Sequence, residues 1–268
     1  MKNNKIILTI AGSDSSGGAG IQADIKTFSA LNTYAASVIT AVTAQNTHTV
    51  AHVADVPEEN IQQQMECVFS DLDVAAVKVG MLASSPVISM VHRQLLHKNI
   101  PIVLDPVMIS KSGCALLDAE ACATLKELLI PITTVLTPNV PEAACLLGTP
   151  EARSVEDLVD QGEKLMALGC KAIVMKGGHL DSSVCTDVLI QQDQAPIFFE
   201  HPRVNTKNTH GTGCTYSAAI AAFMGRGFSI TDAVRQAHDY LYQAIVHADK
   251  LQVGSGHGPT HHFHKVWS

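Results

Sequence analysis

Residues 5–24 read KIILTIAGSDSSGGAGIQAD: an apolar run, a loop of serines and glycines, and the first residues of a helical pattern. Lysines before an apolar run resemble a leader peptide, but this run gives way to the glycine loop within a few residues, so it reads as a first strand. The same grammar repeats downstream. Short apolar runs predict strands at Ala36–Gln45, Ala75–Gly80, Pro101–Asp105, Thr134–Thr137 and Ala172–Lys176. Segments of helical period separate them, among them residues 57–72, 87–98 and 154–169. Strands that are apolar on both faces and alternate with helices predict a mostly parallel sheet covered on both sides. Residues 186–201, TDVLIQQDQAPIFFEH, break the pattern as two strand-like runs about a turn, which predicts an antiparallel edge hairpin. Two helices follow, over 213–227 and 229–251, the second opened by the capping pair Ser229 and Asp232. Without repeats, low-complexity tracts or a linker, residues 1–268 are expected to form one α/β domain.

The loop of residues 12–24 invites two motif assignments. It is no Walker A loop, because no Gly-Lys-Ser/Thr closes it. GAGIQA, from Gly18, does fit the dinucleotide pattern G-x-G-x-x-A. Yet Gly18 lies eight residues beyond Ile10, and the second strand ends in Gln-Asn-Thr without the acid that would hold a ribose. A loop whose backbone closes over a small substrate suits the composition better than a nicotinamide site.

Charge and composition narrow the class. Eighteen Lys and Arg against 25 Asp and Glu give a net charge of −7, which argues against nucleic-acid and anionic-membrane partners. The longest strictly apolar stretch, AAIAAFM from Ala218, is far short of the roughly 18 residues a bilayer requires. The 7 cysteines form no C-x-x-C pair and fit neither a disulfide framework nor a zinc cluster; a reduced, cytoplasmic protein is expected. Aromatic content of 4% leaves the core to Ala, Val, Leu and Ile.

In open parallel sheets ligands bind beyond the carboxyl ends of the strands, and there this chain is polar and glycine-bearing. TPNVPEA allows two readings: Asn139 and Glu142 as an ordinary helix cap with Pro141 in the first turn, or Glu142 as a carboxylate facing magnesium through water. Asp105, before Pro106, is either a turn residue or a second metal-side carboxylate. Lys176, before two glycines, is either a solvated lysine or a point charge on nucleotide phosphates. The histidines of GHGPTHHFH, at 257, 261, 262 and 264, match no usual zinc spacing and read as a packed tail. NTHGTGCTYSAA, from Asn208, carries the strongest signal. Gly211, Thr212 and Gly213 turn backbone amides into one concavity at a helix N-terminus, an anion site suited to a phosphoryl group in transit. Cys214 would stand beside the attacking hydroxyl.

Together, TIAGSDSSGGAGIQADIKTFSAL, VITAVTAQNT, VKVGML, VLDPVM, LTPNVPEAA, VMKGGH and KNTHGTGCT closely resemble the hydroxymethylpyrimidine/phosphomethylpyrimidine kinases of thiamine biosynthesis, from the first strand to the closing histidines. The resemblance implies a ribokinase-like three-layer α/β/α sandwich with an antiparallel edge hairpin, and two ATP-dependent steps. The first phosphorylates 4-amino-5-hydroxymethyl-2-methylpyrimidine; the second converts the monophosphate to the diphosphate. It implies Cys214 as the base where sugar kinases of the group carry aspartate, with Gly211, Thr212 and Gly213 as the anion hole. Gln45 would read the pyrimidine edge, whose mixed donors and acceptors an amide complements. Gly12, Ala19, Val42, Met81 and Val107 would enclose the ring, with Asp24 near the loop. Lys176, Asn139 and Asp105 would serve ATP, and Glu142 and Asp105 the magnesium side. Relatives suggest a homodimer, and the length is expected to leave no room for a fused synthase domain. A free thiol is only a few per cent thiolate at neutral pH, and a helix end adds about 0.3–1 kcal/mol, so Cys214 is not expected to be fully ionised. Pyridoxal kinase, a non-catalytic vitamer-binding protein and a nicotinamide dehydrogenase stay open at this level.

Overall fold

The structure, a computed structural model, describes residues 5–108 and 117–267. In chain order the elements are β1 (Ile6–Asp14), α1 (Gly20–Ala30), β2 (Tyr34–Gln45), β3 (Val50–Asp55), α2 (Glu58–Asp71), β4 (Val74–Val79) and α3 (Ser85–Leu95). Then come β5 (Ile102–Leu104), α4 (Ala119–Thr124), β6 (Val135–Leu136), α5 (Val140–Leu147), α6 (Val155–Met166) and β7 (Ala172–Met175). The chain closes with β8 (Val184–Gln191), β9 (Ile197–Pro202), α7 (Thr212–Gly225) and α8 (Ile230–Val246).

All nine of these strands join one sheet in the order β3-β2-β1-β4-β5-β6-β7-β8-β9. The six from β2 to β7 run parallel, and the β8–β9 hairpin closes one edge antiparallel, as its sequence predicts. The other edge carries an antiparallel strand that no apolar run announced. β3 pairs Val50–Asp55 with Ala41–Gln45, and most of its side chains face water, so it lacks the hydrophobic period that reveals a strand. β1 and β2 also run longer than their apolar cores; β1 continues through Ala11–Asp14 with a register shift between Ala11 and Ser13.

Side chains alternate across a strand, and β1 feeds both faces. Leu8 and Ile10 join the layer built by α2, α3, α5 and α6, whereas Ile7 joins the layer of α1, α7 and α8. This gives the three-layer sandwich. Every residue of α7 from Thr215 to Gly225 is buried, and its four alanines and Ser217 let it lie close to α1 and α8. A helix apolar on all sides belongs in the interior. Within the histidine tail His261 and His262 pack as expected, and His262 Nε2 meets Thr215 Oγ1 at 3.0 Å, whereas His264 is half-buried and His257 exposed.

Candidate active site

A cavity of about 720 Å³ opens beyond the carboxyl ends of β1, β2, β4, β5, β6 and β7, under the N-terminus of α7. Its lining brings together Gly12, Ala19, Gln45, Met81, Asp105, Val107, Asn139, Glu142, Lys176, Gly211, Thr212, Gly213 and Cys214, residues spread over some 200 positions of sequence.

The start of α7 is shaped by two glycines. Gly211 caps the helix at φ +76°, and a Cβ there would fall 1.8 Å from the Gly18 carbonyl oxygen. Gly213 lets the Lys176 ammonium come near: an added Cβ would lie 3.2 Å from Nζ. The first-turn amides of a helix have no intrahelical acceptors, so the N–H groups of Gly213 and Cys214 meet the cavity beside a cation. Burial pushes the Cys214 thiol up to about 11 against the pull of Lys78 and the Gly20 N–H. That agrees with an incompletely ionised thiol.

Across from these amides, Lys176 Nζ lies 2.8 Å from Asp105 Oδ1 and 3.7 Å from Glu142 Oε2. Thr137 Oγ1 donates to Asp105 Oδ1 at 3.2 Å and Ser217 Oγ to Oδ2 at 3.3 Å. Burial alone would lower the Lys176 pKa, but the two carboxylates raise it, so the lysine is held as a cation. Burial raises Glu142 to about 7 despite Lys176, with Asp105 pushing the same way. The two sequence readings of TPNVPEA coexist. Glu142 N–H donates to Asn139 Oδ1 and Asn139 N–H to Glu142 Oε2, closing a capping box, while the same carboxylate faces Lys176.

Two expected substrate-side positions are corrected, Val42 on the ring and Asp24 near the loop. Asp24 does not line the cavity; it is fully buried on α1, accepting from Lys78 Nζ at 2.9 Å and Thr9 Oγ1 at 2.6 Å. Val42 is 49% exposed and also absent from the lining. Thr43 and Gln45 face the cavity, and strand alternation turns Val42 to the other side; that parity was readable. The dinucleotide pattern at Gly18 has a different occupant: Gly18 N–H and Ala19 N–H donate to Asp14 Oδ2, at 3.1 and 2.8 Å, so the loop closes on its own carboxylate.

Sequence reasoning missed three features. Lys78 lines the cavity from β4, in an apolar run that signalled only a strand. Asp14 and His210 meet beside Gln45, with His210 Nε2 2.8 Å from Asp14 Oδ2 and 3.2 Å from the Gln45 amide. At the far end of the cavity the His201 ring lies between His238 and Tyr242, at centroid distances of 4.4 and 4.0 Å. Ligating atoms of His201, His238 and Asp239 lie within 4.8 Å of one another. The two imidazoles are parallel to within 8°, however, so their lone pairs point along separate planes and suit a flat ligand better than an ion.

The family model described as Phosphomethylpyrimidine kinase matches residues 14–261. The chain belongs to that family. It is 49% identical over 97% of its length to the Hydroxymethylpyrimidine/phosphomethylpyrimidine kinase of Escherichia coli strain K12, covering 98% of that protein. Among solved structures it resembles phosphomethylpyrimidine kinase from Clostridium difficile 630, at 45% identity and TM-score 0.79, covering 90% of this chain and 100% of that one. It also resembles an ADP complex of Bacillus subtilis pyridoxal kinase, at 34% identity and TM-score 0.89, covering 97% and 98%. Membership in a kinase family at this coverage overturns the nicotinamide reading of GAGIQA. No described helix is long and apolar enough to cross a membrane.

Proposed function

We propose that the chain, working as one kinase domain, moves the γ-phosphoryl group of ATP to the hydroxymethyl oxygen of 4-amino-5-hydroxymethyl-2-methylpyrimidine, and then a second phosphoryl group onto the monophosphate. The observation that carries this reading is one cavity with anion-binding amides, a held cation and a thiol at one point, and a ring-reading amide within reach. The ring lies between Gly12, Ala19, Met81 and Val107, with Gln45 on its polar edge. The nucleotide base takes the aromatic end, beside the stack in which His201 lies between His238 and Tyr242.

In each step the acceptor oxygen bonds to phosphorus as the bridge to ADP breaks. The amides of Gly213 and Cys214 and the Lys176 ammonium face the three equatorial oxygens, where the transferring charge resides, while the Thr212 N–H is turned to the Thr209 carbonyl. The hydroxyl proton passes to the Cys214 sulfur in its thiolate fraction, which Lys78 and the Gly20 N–H favour. A loose transition state asks little of its base until late, so positioning and charge neutralisation supply most of the acceleration. Asp105 and Glu142 have the hard oxygen donors that magnesium prefers, and both sit beside the cation that faces phosphate; magnesium there would neutralise phosphate charge.

A coupled ATPase assay with hydroxymethylpyrimidine, its phosphate and pyridoxal side by side tests this. Both pyrimidines should consume ATP, and Cys214→Ala should slow turnover about a hundredfold while leaving pyrimidine binding intact. Consumption with pyridoxal alone would replace the substrate by a pyridine vitamer, a second reading supported by the likeness to Bacillus subtilis pyridoxal kinase. Binding without ATP consumption would leave a vitamer-binding protein. A homodimer belongs to the same reading, with Tyr34 and Val42 exposed on β2 as apolar surface it would cover.

A further inference from the structure

The Asp14–His210–Gln45 contacts contain more information than their distances, because each hydrogen must have one owner. Asp14 Oδ1 receives Ser16 N–H at 2.8 Å and Ser16 Oγ at 2.7 Å; Oδ2 receives Gly18 N–H, Ala19 N–H and His210 Nε2 at 3.1, 2.8 and 2.8 Å. A carboxyl group ringed by donors is an acceptor only, hence ionised. Burial pushes its pKa up, but these bonds win and hold it below the usual carboxylate range. His210 Nε2 therefore carries a hydrogen.

The Gln45 atom 3.2 Å from that nitrogen must then be an acceptor. As placed it is Nε2, which would set donor against donor, while Oε1 sits 3.3 Å from Thr43 Oγ1. Thr43 already donates its only hydrogen to the Ser13 carbonyl at 2.9 Å and has lone pairs to offer. A half-turn of the amide removes the clash: Oε1 faces the single Nε2–H of His210, which it shares as the longer arm of a three-centre bond with Asp14 Oδ2, and Nε2 donates to Thr43. One N–H and one lone pair then remain for the cavity, the donor on the Thr43 side and the acceptor on the His210 side.

We infer that His210, held by Asp14, is a positioning residue that fixes the polarity of the Gln45 amide and thereby the way round the aminopyrimidine lies. This rests on the substrate reading above. Ring nitrogen N3, an acceptor, pairs with the donor beside Thr43, and the 4-amino group pairs with Oε1 beside His210. The 5-hydroxymethyl group neighbours the amino group, so it extends past His210 toward Gly211–Cys214, which follow it in the chain. The opposite amide polarity would bring the amino group to Thr43 and carry the hydroxyl away from the thiol. His210 itself has little freedom to move. Its side chain is buried, its N–H donates to the Gly258 carbonyl at 3.0 Å, and its own carbonyl accepts from Thr260 N–H at 3.3 Å.

The test is discrimination against the 4-oxo analogue, 5-hydroxymethyl-2-methylpyrimidin-4-one, whose N3–H and carbonyl reverse the donor–acceptor order. Wild type should favour the amino compound in kcat/KM by at least about a hundredfold. His210→Leu frees the amide to turn, and the preference should fall below about tenfold. His210→Gln, which restores an N–H toward Asp14 and Gln45, should recover it. A general structural defect would lower both rates and keep the ratio; an unchanged ratio in His210→Leu overturns the inference. The imidazole nitrogen NMR spectrum of the wild-type chain gives a second readout. Nε2 should bear hydrogen at neutral pH, and a bare Nε2 overturns the inference even if the leucine variant does not fold. Should wild type phosphorylate neither compound, the substrate reading fails, and the nitrogen spectrum still decides whether Gln45 has the polarity assigned to it.

Discussion

Two lysines lie beneath this cavity, each within 2.9 Å of an aspartate oxygen, and they are built for different work. Lys78 and Asp24 are sealed, with side chains 1% and 0% exposed. Lys176 and Asp105 open toward the cavity, with Lys176 13% exposed and a third carboxylate, Glu142, at 3.7 Å. In the sealed pair the side-chain hydrogen bonds join only the two partners and Thr9, and Asp24 Oδ1 has no partner, although the Lys78 charge is also felt by the Cys214 thiol. Such a pair adds little net stability, because desolvation offsets the Coulomb attraction, yet breaking it strands a charge in the core. In the open pair the cation is held ready for something that arrives. The difference lies in access: one ammonium finishes a core, the other faces the helix N-terminus where phosphate is expected.

The largest effect expected from this contrast is on folding. Lys78→Met leaves Asp24 buried and alone and should cost about 3–5 kcal/mol of unfolding free energy in urea titrations. Adding Asp24→Leu should return most of it, since the apolar pair removes the stranded charge. A double variant no more stable than the single one would break the comparison at this end. Lys176→Met comes next and should register in catalysis. Turnover should drop about 10²–10³-fold, the scale for losing one charge-stabilising donor, with a smaller loss of stability because Asp105 keeps Thr137 and Ser217 as partners. If the two methionine variants showed the same balance of stability and turnover loss, access would not distinguish the pairs.

How far the sequence leads follows the same division. The parallel sheet and its edge hairpin are legible because strands buried on both faces must be apolar throughout, and the site loops are legible because they sit where such sheets end. β3 is not, since a water-facing edge strand needs no apolar period. Lys78 marks the limit more sharply. A charge inside VAAVKV must have a buried partner, so the existence of a pair was implied; its identity depends on how α1 crosses β4, which no local pattern states. Likewise His210 looked like the residue before GTGC, and its junction with Asp14 forms only when positions 196 residues apart meet. Asp24 and Val42 came from the resemblance, and the geometry sets one beneath the cavity as the partner of Lys78 and turns the other toward solvent.

The smallest predicted effect tests whether the open pair can change its charge near neutrality. Burial lifts Glu142 to about 7 from an ordinary carboxyl value of 4.5. A carboxyl that binds its proton more tightly when folded stabilises the fold while protonated, so its contribution is full below about pH 4.5 and disappears as the pH climbs through 7. Other buried groups titrate in the same range: Asp187, raised by burial to about 6, adds to the decline, whereas His238, lowered by burial to about 4, opposes it below 6.5. The informative quantity is therefore the difference between wild type and Glu142→Gln, a substitution that preserves the capping acceptor for Asn139 N–H. Chemical unfolding between pH 4.5 and 7.5 should show wild type losing stability relative to the glutamine variant as pH rises. Parallel curves would mean that Glu142 stays ionised throughout, leaving Lys176 between two permanent carboxylates.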